Sequence, residues 1–183
     1  IEIPSKELAK KYIHRYSVIA HEYFHVYQMS LSESFFDGDI ELKWLSEGTA
    51  ASFESIYIQQ FYQSNYFLEA QTQVHNSVIN NPIIFEKFNS SKDEDINYAS
   101  SVFMALALTK ELQKIGRTEN EAFRLIYKDF WELNPTDNNW KNKFEELFNI
   151  TVEQFYNSLE NYTNDISSVT PSESLKIENI FTL

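Results

Sequence analysis

The residues best equipped for chemistry lie in His21-Glu22-Tyr23-Phe24-His25, where two imidazoles stand four positions apart. On an α-helix that spacing leaves about 40° of arc between them, so both rings rise from one face and their nitrogens can converge on one ion. Glu22 stands about 60° round from His25. That offset lets its carboxylate meet an open coordination position and take a proton from water there instead of becoming a ligand. A catalytic zinc needs a third protein ligand and leaves its fourth place to water, so one more His, Asp or Glu is required downstream. Glu47, within Trp44-Leu45-Ser46-Glu47-Gly48-Thr49-Ala50, meets that need 22 positions after His25. Glu54 follows Glu47 by seven, on the same helical face, where it can hold the second nitrogen of a ligand histidine. Gln28 reads equally as a contact to a ligand or substrate and as a surface residue. His14 and His75 have no partner at ligand spacing and read as hydrogen-bonded or solvated histidines, although His14 shares a face with His21. Glu22 to His25 also spells the Glu-x-x-His of di-iron bundles, but those need two such motifs and no other histidine here has a Glu three before it.

These side chains require helices to carry them. Residues from about Ser5, a candidate N-cap after Pro4, to Ser30 contain no Gly or Pro and repeat apolar positions near a 3.6-residue period, which predicts one long helix. The turn residues of Phe35-Phe36-Asp37-Gly38-Asp39 should break it, and Glu41 to about Gln63 should form a second, antiparallel helix. Gly48, Ala50 and Ala51 keep that helix thin, allowing close approach of the first helix near the ion. Tyr66 to Asn80 reads as a weaker third helix that stops at Asn80-Asn81-Pro82, followed by a short apolar piece from Ile83 to Phe88 and a polar loop from Asn89 to Asp95. Ile96 to Ile115 predicts a strong helix closed by Gly116. Thr118 with Glu121 and Thr151 with Gln154 have capping-box spacing, and Trp140 to Asn149 is a further helix. Period-two alternation never persists, so the fold class is mainly α. One domain over residues 1–166 is expected, with a Ser-rich tail over 167–183.

Composition narrows the partners. The 183 residues are enough for one core, 43% of them are hydrophobic, and no run approaches the roughly 18 apolar residues of a membrane span. With 27 acidic against 15 basic residues the formal net charge is −12, the wrong sign for neutralising a phosphate backbone, so nucleic acid is not an expected partner. The absence of cysteine excludes disulfides, thiolate metal sites and a thiol nucleophile. The 15 Phe, 11 Tyr and 3 Trp provide the large apolar areas of a densely packed helical core.

HEYFH followed by WLSEGTA resembles the gluzincins, zinc metallopeptidases of the peptidase MA type whose third ligand is a Glu on the next core helix. The resemblance spans roughly Ser17 to Tyr162 and is specific in the first two motifs. It implies a zincin-like helical core, bound zinc and hydrolysis of a peptide or protein substrate, with His21, His25 and Glu47 as ligands and Glu22 as general base. It also implies that Tyr98, in Tyr98-Ala99-Ser100-Ser101-Val102-Phe103, donates its hydroxyl to the oxyanion. Glu54 falls where many of these enzymes carry a second acidic residue, and the segments Phe144 to Asn149 and Thr151 to Phe155 are similar to their C-terminal helices. Two departures stand out. The His25-to-Glu47 interval is somewhat longer than in the best-known members, and nothing before Ser17 reads as the β-sheet that usually precedes the first motif, so any such subdomain is not visible in this chain. A chain starting at Ile1 reads as a processed or trimmed product, and the compartment leans to secreted or extracytoplasmic. Two rivals stay open: a zinc-binding regulatory or interaction domain without turnover, and a helical interaction protein that binds no metal.

Overall fold

The computed structural model describes residues 12–88 and 94–182, and among them the regular structure is entirely helical, with no strand. The mainly-α expectation holds. Three long helices form the centre: α1 (Tyr12–Leu31), α3 (Lys43–Tyr62) and α6 (Glu94–Lys114). Helix α3 packs against both of the others. Its buried positions run almost without interruption from Trp44 to Ser52 and continue through Glu54, Ser55, Ile56 and Ile58. A helix buried on nearly all faces belongs in the middle of a bundle. The expected start of α1 at Ser5 and most of the polar loop from Asn89 lie outside the described residues.

Contacts between α1 and α3 run in opposite chain directions: Gln28 meets Ser46 and Thr49, His25 meets Glu47, and His21 meets Glu54. The two helices are therefore antiparallel, as the sequence suggested. Gly48 serves a different neighbour from the one expected. A Cβ placed on it would lie 2.3 Å from the Ser101 carbonyl oxygen and 3.2 Å from the Ala105 Cβ. The missing side chain thus admits the backbone of α6, not that of α1, and fixes how closely α6 approaches the α1–α3 pair.

The connection between α1 and α3 also differs from expectation. Helix α1 ends before the Phe35–Asp39 segment because the Ser32 hydroxyl accepts from the Phe35 amide and starts a new short helix, α2 (Glu33–Asp37), closed by Gly38 at φ 80°. The single weak helix read over Tyr66 to Asn80 is two pieces, α4 (Tyr66–Ala70) and α5 (Ser77–Asn80). Between them the His75 amide donates to Ser100 Oγ and the Ser77 amide to His75 Nδ1, so side chains take the place of a helical ladder. A 3₁₀ turn, Pro82–Phe85, then buries Phe85.

Helix α6 ends as predicted: Gly116 adopts φ 97°, its amide donates to the Gln113 carbonyl and that of Arg117 to the Leu112 carbonyl. Both capping boxes form. They open α7 (Glu119–Arg124), which continues through a π-turn into α8 (Phe130–Glu132), and α10 (Val152–Ser158), which follows α9 (Trp140–Phe148). The segment read as a tail from residue 167 is packed instead. Val169, Leu175 and Ile180 are buried, and α11 (Ile177–Phe181) lays Phe181 edge-on to Tyr27, 5.5 Å between ring centres. Gln60 fastens it by accepting from the Ile177 amide and donating to Glu178. Serine abundance is a poor guide here because a few widely spaced apolar residues are enough to dock a short segment.

Candidate metal centre

The antiparallel α1–α3 pair brings His21, His25 and Glu47 together as a group able to hold a metal ion. His21 Nε2 and His25 Nε2 are 3.1 Å apart, and Glu47 Oε2 is 3.2 Å from the His25 nitrogen and 3.4 Å from that of His21. The edges of a tetrahedron of N and O donors around zinc are about 3.3 Å. The donor triangle therefore has the size such an ion needs before any side chain moves.

The other faces of the imidazoles decide what points inward. His21 Nδ1 is 3.0 Å from Glu54 Oε2, and His25 Nδ1 is 2.7 Å from Gln28 Oε1. The Gln28 amide cannot turn round, because its NH₂ donates to the Ser46 carbonyl at 3.3 Å and to Thr49 Oγ1 at 3.0 Å. Its oxygen thus faces His25 and accepts the Nδ1 proton. Glu54 Oε2 faces His21 Nδ1 in the same way, so whenever a ring gives up its second proton it is the Nε2 lone pair that turns to the centre of the triangle. Gln28 is fully buried, which removes its reading as a surface residue, and Glu54 sits where the sequence put it.

Two nitrogen lone pairs and a carboxylate oxygen facing one another repel unless a positive charge lies between them. Burial by itself would lower the His21 pKa, but the hydrogen bonds and charges of Glu47 and Glu54 prevail and raise it to about 10. Burial likewise pushes the Glu47 carboxyl up, and the hydrogen bonds from His21 and His25 outweigh it and hold the group well below the usual carboxylate range. A proton on His21 supplies that positive charge, and an ion held by the same three groups would supply it equally. Since His21 is only 9% exposed and Glu47 8%, bulk water does little to satisfy them.

Glu22 and Tyr98 complete the predicted set. Glu22 lines a cleft of about 230 Å³ together with His25, Glu47 and Lys43, whose apolar wall includes Met29, Phe35 and Ile40. Among the described residues its carboxylate makes no ion pair. Tyr98, in the second turn of α6, stands edge-on to the His21 ring at 5.7 Å between centres. His14 is not in the group, and its Nδ1 lies 3.2 Å from the Tyr66 hydroxyl. Sequence reasoning missed Thr49 and Ser46 as the anchors of Gln28. The only signal was their place beside Glu47 on a helix already assigned to the site. Comparison with models of protein families, with curated proteins and with solved structures returned no match.

Proposed function

We propose that this chain is a zinc-dependent metallopeptidase of gluzincin type, with His21, His25 and Glu47 as the residues that hold the ion. The observation that carries this reading is the triangle of His21 Nε2, His25 Nε2 and Glu47 Oε2, with edges of 3.1, 3.2 and 3.4 Å, beside a cleft that Glu22 lines. Two imidazoles and one carboxylate are the donor set of catalytic zinc sites that leave a position open. When bound, zinc supplies Lewis acidity to the scissile carbonyl and lowers the pKa of water. Glu22 takes the proton from the attacking water and passes it to the departing amine. Tyr98 donates its hydroxyl to the oxygen on which negative charge develops. Glu54 and Gln28 hold the two imidazoles in the tautomer and orientation that ligation requires.

The substrate class is a peptide or unstructured protein. The test is hydrolysis of an unfolded protein by the zinc-loaded chain. Glu22→Gln should lower the rate about 10²- to 10⁴-fold while one zinc per chain is retained; equal rates would contradict the mechanism. The second reading, a zinc-holding interaction module without turnover, is favoured by the lack of a strand among the described residues, which leaves the cleft no sheet edge to pair with an extended peptide. It expects metal-dependent stabilisation and no cleavage of any peptide. A helical interaction protein with no metal expects neither.

A further inference from the structure

Beside the proposed centre lies a cation that the mechanism above does not use. Lys43 lines the same cleft as Glu22, His25 and Glu47. Its Nζ is 3.5 Å from Glu47 Oε1, whereas Oε2 is the oxygen that faces the two imidazoles. The Lys43 amide donates to the Glu86 carbonyl at 2.8 Å, so the base of the side chain is fixed from another part of the fold.

Helix stability does not account for a lysine here. Lys43 is the first residue of α3, whose Leu42 N-cap contributes no side-chain bond and whose first turn holds no acidic residue. A cation at a helix N-terminus opposes the macrodipole. The pair with Glu47 also runs Lys before Glu at i, i+4, the weaker of the two orders. Broken local rules of this kind, at a partly buried position, point to a task outside the helix itself. The electrostatics of the cleft agree, since the carboxylic residues that line it with Lys43 are three, Glu22, Glu41 and Glu47.

We propose that Lys43 is a positioning residue for Glu47: by engaging Oε1 it keeps Glu47 a one-oxygen donor through Oε2. This rests on the metal-centre reading given above. A carboxylate with both oxygens free can swing both onto a cation and take the place that water and substrate need. Lys43 prevents that swing, and it offsets one of the negative charges that would otherwise draw the ion out of register with Glu22.

The experiment is titration of the full chain with zinc and with cobalt(II) for wild type, Lys43→Met and Lys43→Arg. Lys43→Met should bind zinc about 10-fold more tightly, because a neighbouring positive charge is gone and a second Glu47 oxygen joins the donors. Its cobalt form should lose visible absorption, because a second Glu47 oxygen raises the coordination number above four. Lys43→Arg should restore both, and the three metal-free proteins should melt together. The inference is overturned if Lys43→Met keeps the wild-type affinity and cobalt spectrum. It is also overturned if the metal-free Lys43→Met protein is destabilised and Lys43→Arg fails to restore the spectrum. Failure of the hydrolytic reading is separately visible: Glu22→Gln would be as active as wild type while the Lys43 effects on affinity and spectrum persisted. A wild-type chain that takes up neither ion overturns both.

Discussion

Helix α3 meets its two long neighbours in different ways. Toward α1 it presents Glu47, Thr49 and Glu54, and the contact is a ladder of hydrogen bonds to Gln28, His25 and His21. Toward α6 it presents Gly48, and the contact is a backbone approach so close that a single carbon would fill it. The first interface is defined by which atoms donate and accept, the second by volume. The polar ladder is an expensive way to join helices, since each buried group lost leaves its partner unsatisfied. The small-residue face is the economical one. The buried serines near the Gly48 face, Ser52 and Ser55, bond to Tyr127 and to the Ala51 carbonyl, so the ionisable groups of α3 are gathered on the side that faces α1.

That contrast can be broken at several points. The largest effect is expected from Glu47→Gln, which removes the anionic donor and should weaken zinc binding more than about 100-fold, beyond what loss of a group behind the ligands costs; isothermal titration checks it. Gly48→Ala comes next. An Ala in a helix interior ordinarily gains about 1 kcal/mol over Gly, but here its Cβ would lie 2.3 Å from the Ser101 oxygen, so a net loss of about 1–3 kcal/mol is expected from overpacking. Thermal melts of the metal-free protein decide the sign, and a stabilised variant would mean that α6 does not approach α3 as described. The gentlest perturbation is a change of pH. Without metal, His21 holds its proton up to about pH 10, and ligation requires that proton to leave. Zinc affinity should therefore fall about tenfold for each unit of pH lowered from there through neutrality. One proton should be released per ion at pH 7, measurable by calorimetry in buffers of different ionisation enthalpy.

The parts of the molecule that were legible in the sequence are those governed by helical period. His21 and His25 at four, Glu47 and Glu54 at seven, and the two capping boxes at three are spacings with one geometric meaning on a helix: the imidazoles meet, both carboxylates reach His21, and both caps close. Where chain segments are held by isolated contacts, the reading went wrong. The described part of the expected tail, residues 167–182, docks through single residues such as Ile180 and Phe181, and the helix read over Tyr66 to Asn80 is split by bonds involving His75 that no pattern foretells. Gly48 was recognised as a thin spot, but which neighbour uses it depends on tertiary packing. Lys43 was readable four before Glu47, yet its meaning emerges only from which carboxylate oxygen it faces.

The claim that everything else depends on is that His21, His25 and Glu47 bind one metal ion together. The direct measurement is X-ray absorption at the zinc edge of the zinc-loaded chain, combined with metal analysis. One zinc per chain should be found, with two imidazoles and oxygen donors at about 2.0–2.2 Å, and the imidazole signal should be halved in His25→Ala. Zinc uptake below one per chain, or a spectrum without imidazole scattering, would contradict the account.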